Sequence, residues 1–313
     1  MFIEPTTGHE DATGRHPSIS VCILSHNYAH FLTKAIESCL AQEPGDYHLA
    51  EIVVLDDGST DHTLEVCAEF GDRIRVVPLP HGGFGATLTE SVRRCVGEWV
   101  AFLDADDWFA PAKLRTVAAR LSAGTLFVQH WEYVVDGEGE LLVPDPHPGG
   151  NTSTILVRRT AALRLLPVTN EKYFHVFDDL GLGDRSSDPL TYYRVHGSNM
   201  TDRATPGTHQ LYMAEVCRGI SARMEELRRT PPAWAVSTAL RRLSWHYQAE
   251  AQAHAVEAAL QVGSWRSAWG PLVRELWLTA LAGRGFRTRL PSIRSVLTGR
   301  PCVRLVQLPQ ETS

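Results

Sequence analysis

The sequence predicts an α/β fold, a mainly parallel sheet with helices on both faces, followed by a helical C-terminal region. Two observations carry this. In the first half, short apolar runs of strand length alternate with stretches whose apolar residues recur at helical spacing, the pattern of a parallel sheet covered on both faces. After about residue 205 the strand pattern vanishes and only helical stripes remain.

In chain order, Ile19–Leu24 is the first strand, followed by the polar turn Ser25-His26-Asn27. Phe31, Leu32, Ala35, Ile36, Cys39 and Leu40 then form one helical stripe. Ile52–Leu55 is the second strand and runs into Asp56-Asp57-Gly58-Ser59-Thr60-Asp61, where Thr60 or Asp61 suits the cap of a helix reaching toward Phe70. Ile74–Val77 is the third. The glycine-rich His81-Gly82-Gly83-Phe84-Gly85 opens a helix that turns Leu88, Val92 and Cys95 inward. Trp99–Leu103, five apolar residues in a row, is too short for an ordinary helix and reads as a fourth, buried strand. Pro111 suits the first turn of the next helix, whose stripe is Leu114, Val117, Ala118 and Leu121. Ligands bind such sheets beyond the carboxyl ends of the strands. The polar loops after Leu24, Leu55 and Leu103 are therefore expected to converge on one edge.

From Leu126 the pattern changes. Leu126–Val135 and Leu141-Leu142-Val143 flank Asp136-Gly137-Glu138-Gly139, which predicts a hairpin. Thr154–Val157 is a further strand, a short helix follows near Leu163, and Thr191–Val195 is the last strand. Tyr212, Val216, Ile220, Met224 and Leu227 mark one helix, which Pro231-Pro232 ends; Val236, Leu240, Leu243 and Tyr247 begin another. The expected organisation is a flexible N-terminus over 1–17, an α/β domain over 18–204 and a helical region over 205–313.

At 313 residues the chain can bury a large core, and 43% hydrophobic with 21% charged residues is a globular composition. A net charge of −6 lacks the basic footprint of a nucleic-acid binder. The six cysteines are scattered without a C-x-x-C, and four fall in apolar periodic segments. Buried free thiols in a reducing compartment are expected. Residues 1–17 carry no apolar leader and no run of about 18 apolar residues occurs, so the expectation is a cytoplasmic protein without a spanning helix.

The chemistry concentrates after the fourth strand, where Asp104, Asp106 and Asp107 fall within four positions. Side chains two apart in an extended chain point the same way, so Asp104 and Asp106 share a face. Two such carboxylates repel unless a cation sits between them. Hard oxygen ligands with room for water suit Mg²⁺ or Mn²⁺, which in turn bind phosphate oxygens. A solvated acidic turn is the usual meaning of an isolated D-x-D; the buried strand ahead of it favours a site.

Five segments, in this order, resemble the inverting glycosyltransferases of family 2: Val21–Asn27, Val53–Asp61, Gly85–Glu90 leading to Gly97-Glu98-Trp99, Phe102–Asp107, and Pro189–Asn199. The resemblance implies the GT-A fold, a Rossmann-like sheet with a nucleotide-binding half over 18–107 and an acceptor half over 108–204. It implies transfer of a sugar from a UDP- or dTDP-linked donor to an acceptor hydroxyl with inversion, assisted by Mg²⁺ or Mn²⁺. The acceptor is a polysaccharide, a lipid-linked saccharide or a small molecule.

By the same resemblance Ser25, His26 and Asn27 contact the nucleotide, with a helix-capping turn as the alternative. Asp56 and Asp57 meet base and ribose, accepting from N–H and hydroxyl groups. Gly85 and Ala105 line the donor, Asp104 meets the ribose, and Asp106 holds the metal with His196 as a further ligand. Arg194 reaches the diphosphate or pairs with a carboxylate. The base is Asp178 or Asp179, for which a helix cap is the alternative. The chain departs from the family at Gly181–Asp188, a short glycine-containing stretch where a helix usually stands.

Rival readings are a haloacid-dehalogenase-like phosphatase, which also ends an apolar strand in D-x-D, and a degenerate sugar-nucleotide-binding module. A nicotinamide dehydrogenase lacks support because the dinucleotide fingerprint is missing. Between Glu275 and Glu311 lie six arginines (Arg284, Arg287, Arg289, Arg294, Arg300, Arg304) and no acid, near Trp265, Trp269, Trp277 and Phe286. Such a stretch can rest on the inner face of an anionic membrane. A helical cap or a homodimer contact with a solvated basic face is the plainer expectation.

Overall fold

The apolar runs become the middle of one sheet. A computed structural model describes residues 16–197, 205–283 and 289–301. The first elements are β1 (Ser18–Ser25), α1 (Ala29–Leu40), β2 (His48–Asp56), α2 (Thr63–Ala68), β3 (Arg75–Pro78), α3 (Phe84–Arg94) and β4 (Trp99–Asp104). Then come β5 (Trp108–Phe109), α4 (Lys113–Ala118), β6 (Phe127–Val135), β7 (His147–Pro148), β8 (Ile155–Arg158), α5 (Arg159–Ala162), α6 (His175–Asp179) and β9 (Gly183–Arg194). The last are α7 (Thr208–Leu227), α8 (Ser237–Gln261), α9 (Trp269–Leu281) and α10 (Leu290–Thr298). Two units separate by their contacts, Met1–Gly197 and Ser198–Ser313.

Among the described residues the sheet runs β3-β2-β1-β4-β8-β6-β9-β5, with β7 added to β6. β3, β2, β1 and β4 are parallel, β8 is antiparallel to both neighbours, and β9 runs parallel to β6. Leu24 pairs with Leu55 and with Asp104, and Ser25 with Asp56, so β1, β2 and β4 end level. The three polar loops thus leave the sheet side by side.

Alternation along the strands assigns the two faces. Ile19, Val21, Ile23, Val54, Trp99, Ala101 and Leu103 share one core cluster with Leu32 and Ile36 of α1 and Leu114 and Val117 of α4. Phe102 points to the other face and stacks on Phe174, ring centroids 5.6 Å apart, while α3 covers β1 and β2 there. Each such side chain contributes about 1.5–3 kcal/mol on burial. Asp104, two residues beyond Phe102, leaves the sheet on the Phe174 side.

Two stretches differ from the sequence expectation. The turn at Asp136 forms, its carboxylate accepting from the N–H groups of Glu138, Gly139 and Glu140 at 3.1, 2.9 and 2.9 Å. Its returning arm pairs with β6 only at the Val135–Leu141 bridge and the Leu142 N–H bond to Val134. Pro144 and Pro146 supply no N–H to continue a ladder. The last strand, expected over Thr191–Val195, starts earlier: after Gly181 at φ +74° the chain enters β9 at Gly183. β5 covers only Thr191 and Tyr192 of β9, so the earlier residues form an open edge where polar side chains are tolerated.

In the second unit Val216, Ile220, Met224, Leu227, Leu240, Leu243 and Tyr247 are buried, whereas Tyr212 and Val236 are exposed. Arg289 of the basic stretch is not solvated: it is buried, 2.7 Å from Glu250 and 3.6 Å from Glu275. Arg284, Phe286, Arg287 and Arg304 lie outside the described residues, as do Cys302 and the N-terminal positions 1–15. Cys22, Cys39, Cys67, Cys95 and Cys217 are buried free thiols. Among the described residues no helix is long and apolar enough to cross a membrane.

Candidate active site

The loops after β1 and β2 are locked to each other by side chains that the sequence pointed to. Asn27, at φ +58°, accepts the Thr60 N–H at 2.8 Å and gives its own N–H to Ser59 Oγ at 2.9 Å. Asp61 accepts the first N–H groups of α1 and α2, from Ala29 and Thr63, both at 3.0 Å. Asp56, buried, holds the Ser59 N–H and hydroxyl. Asp57 grips the glycine loop, accepting Gly82 N–H at 2.8 Å and Gly83 N–H at 2.9 Å. The His26 and His81 rings stack 4.3 Å apart, and the Nδ1 of each lies within 3.0 Å of the Asp57 carbonyl.

His26, Asp57 and His81 place three donor atoms within 4.8 Å of one another. Those atoms already serve the loop, so the cluster acts first as a brace. Ser25 differs: its Oγ is buried and has no hydrogen-bond partner in the structure. Buried polar atoms are rarely left so, and a ligand at this edge would satisfy it.

The β4 turn is built from below. Ser153 Oγ accepts the Asp104 N–H at 2.9 Å and donates to Asp107 Oδ2 at 2.6 Å. Beneath it the fully buried Lys113 ammonium donates to Ser153 O at 2.6 Å and lies 3.4 Å over the Phe109 ring. Burial holds that lysine well below its ordinary range. Ala105, buried, ties back to Leu24 O at 3.0 Å. Asp107 receives the Arg194 N–H on Oδ1 at 2.9 Å, so the third carboxylate joins the end of β9 to the turn. Arg194 also donates from Nε to Asp106 O at 2.9 Å, bonds Gly137 O, and lies between the Phe31 and Trp108 rings. These two side-chain bonds brace the turn through carbonyls.

This leaves Asp104 and Asp106 as the turn's outward carboxylates. Asp106 Oδ2 is 3.0 Å from His196 Nε2, both side chains less than a tenth exposed. His196 arrives from the end of β9 and packs on Phe31, centroids 4.8 Å apart. Burial pushes the Asp104 carboxyl well up, and the charges of Asp106 and then Glu171 push it further. The Asp106 carboxylate and the His196 imidazole, brought together from two strands, are ligand types that suit a divalent cation.

Glu171 is the acid that sequence reading missed. It opens the short turn Glu171–Phe174, where Asn170 Oδ1 accepts the Lys172 N–H at 2.9 Å. Phe174 on Phe102 carries this turn to the Asp104 face. Loss of hydration pushes the Glu171 carboxyl up to about 7, opposed by its own backbone N–H and Lys172, although part of the side chain still reaches solvent. A glutamate twelve residues ahead of a glycine-led strand was the available signal; the Asp178-Asp179 pair drew attention instead.

The structure does not bring Asp178 and Asp179 to this edge. Asp178 Oδ2 takes a bidentate bond from Arg185, 2.9 Å from Nε and 2.8 Å from Nη2. Gly183, whose added Cβ would fall 2.5 Å from Asp178 Oδ1, pairs with Phe127 at the opposite end of β9 from Arg194. Their partners on β6, Phe127 and Val135, are eight residues apart, so at ~3.3 Å per residue roughly 25 Å separates the two ends. Both aspartates belong to α6, which ends four residues ahead of Gly183.

The family model described as Glycosyl transferase family 2 matches residues 20–186. The chain belongs to this family. An uncharacterized glycosyltransferase of Nostoc sp. is 30% identical over 226 residues, covering 61% of this chain and 69% of that one. One from Rickettsia typhi is 35% identical over 99 residues, covering 32% and 30%. The chain thus spans less than a third of that relative and about a sixth of another, from Rickettsia felis, of which 16% is matched. Among solved structures, residues 1–349 of S. aureus TarS in complex with UDP-GlcNAc align with TM-score 0.56 at 16% identity, covering 90% of this chain and 92% of that one. That likeness shows the GT-A type of fold.

Membership of family 2 displaces the phosphatase reading. In the structure Gly85 is a close-packing position. A Cβ there would lie 2.8 Å from Thr169 Cα and 3.0 Å from Thr169 O, and Thr89 Oγ1 clamps Val168 on both sides at 3.0 and 3.1 Å. α3 thereby sets the segment that carries Glu171. Gly85→Ala is expected to destabilise by about 1–3 kcal/mol through overpacking. Thermal melting should show the loss.

Proposed function

We propose that the chain is an inverting glycosyltransferase that moves a sugar from a UDP- or dTDP-linked donor to an acceptor hydroxyl, with Glu171 as base. The observation that carries this is the meeting of Asp106 with His196 at the carboxyl end of β4, with Glu171 near enough for its charge to act on the Asp104 carboxyl. Asp106 and His196 would hold Mg²⁺ or Mn²⁺, and Ser25 and Asp56 would meet the nucleoside. When bound, the cation supplies Lewis-acid charge opposite the departing diphosphate. Glu171, carrying a carboxyl near neutrality, accepts the acceptor's proton as its oxygen bonds to the anomeric carbon and the carbon–phosphate-oxygen bond breaks on the other side. Attack opposite the leaving group inverts the centre.

In this reading 18–107 binds the nucleotide and 108–204 the acceptor, whether polysaccharide, lipid-linked saccharide or small molecule. Five buried free thiols suit a reducing, cytoplasmic setting.

Thermal melting with UDP and dTDP, each with and without Mn²⁺, tests the donor side. One nucleotide with Mn²⁺ should raise the midpoint by roughly 5 °C at about 100-fold over Kd. Turnover of the matching nucleotide sugars, followed by NMR of the product's anomeric proton, should give inverted configuration. Binding without transfer or hydrolysis would leave a sugar-nucleotide-binding module, and no shift with either nucleotide would remove the proposal.

A further inference from the structure

We propose that the outward face of the last two helices is a docking surface for an anionic lipid bilayer. Trp269, Val273 and Trp277 follow at four-residue intervals along α9 and are 41%, 63% and 65% exposed. That spacing places them on one stripe. Trp265 precedes them in the turn before α9, with the Arg266 guanidinium 5.6 Å over its ring. The stripe of α9 that stabilises the unit is a different one: Leu272, Glu275, Leu278 and Thr279 are buried. α10 joins the same core through Val296 and Ile293 and turns Leu290 and Leu297 outward.

Charge is sorted in the same way. From Val262 to Pro301 the sequence has a single acid, Glu275, and it is buried beside Arg289 and Ser292. Arg266, Arg274, Arg294 and Arg300 are all exposed. The outward surface among the described residues therefore carries tryptophan, leucine and arginine and no carboxylate. Tryptophan settles at headgroup depth, ring in hydrocarbon and N–H in water, and guanidinium groups pair with lipid phosphate. A second copy of this chain would set arginine against arginine across a two-fold axis. Charge complementarity thus selects anionic lipid as the occupant.

The intact chain is tested by sedimentation with vesicles of phosphatidylcholine alone and with about 30 mol% phosphatidylglycerol. Binding to the anionic vesicles only is expected, with a blue shift of tryptophan emission. It should fall at least about tenfold between 0.1 and 1 M salt, as the Debye length shrinks from about 10 to 3 Å. Arg266→Gln and Arg274→Gln should each lower the partition coefficient about fivefold, the equivalent of ~1 kcal/mol. The double variant Trp269→Ser with Trp277→Ser should lose the blue shift, with wild-type circular dichroism. Equal binding to neutral vesicles, or none at low salt, overturns the proposal. So does a salt-insensitive dimer that Trp277→Ser dissociates.

Discussion

Asp106→Ala is expected to lower kcat/KM by about 10²–10³-fold, the scale of losing one preorganised charge-stabilising group. The variant removes a carboxylate held 3.0 Å from His196 and leaves Asp107, which Ser153 and Arg194 already occupy, in place. The turn should therefore survive. The variant relieves the push on the Asp104 carboxyl but removes the His196 contact, so without cation it should melt close to wild type. The Mn²⁺-dependent part of the nucleotide's thermal shift should vanish. Steady-state kinetics and melting on the same preparation check both halves. Unchanged turnover with Mn²⁺ still required would refute the assignment.

Glu171→Gln is expected to lower kcat by about 10²–10⁴-fold while leaving UDP affinity nearly unchanged. The base acts only when ionised, and burial holds its carboxyl at about 7, so wild-type kcat/KM should rise with pH through about 7 and level off above it. Linkage gives the matching sign for stability. A carboxyl raised from 4.5 to about 7 binds more protons folded than unfolded, so its contribution declines as pH rises across that window. Glu171→Gln should then melt higher than wild type at pH 8 and equally below pH 4.5. Asp178→Asn, which breaks only the ion pair with Arg185, should stay within about threefold of wild-type kcat. Loss of turnover in Asp178→Asn with retention in Glu171→Gln would reverse the roles.

Most of the fold was legible because buried parallel strands leave unmixed apolar runs. Trp99–Leu103 and Ile52–Leu55 have few other readings, and α1's stripe matches its buried face residue for residue at Leu32, Ala35, Ile36 and Cys39. What escaped was structure fixed by position in the sheet. The polar first half of β9 is a strand because β6 offers it hydrogen bonds, a fact absent from its own composition. The two-residue β5 is too short to carry a period.

The site was legible to a similar depth. Asp106 and His196, distant in sequence, meet at 3.0 Å. Several polar residues of the same loops also serve as joinery: Asn27 and Asp57 hold backbone N–H groups of neighbouring loops, and Arg194 holds carbonyls. Hydrogen-bond donors of the backbone carry no sequence signal, so such roles cannot be separated from ligand contact without coordinates. Glu171 was hidden for the opposite reason, since its significance lies in the Phe102–Phe174 stack that brings it to Asp104.

The most direct test is anomalous diffraction at the manganese edge from crystals grown with Mn²⁺ and UDP. A peak between Asp106 Oδ2 and His196 Nε2, with diphosphate density beside it and Glu171 facing the open side, is the predicted result. Manganese bound instead at His26, Asp57 and His81, or absent while UDP is present, would contradict the account.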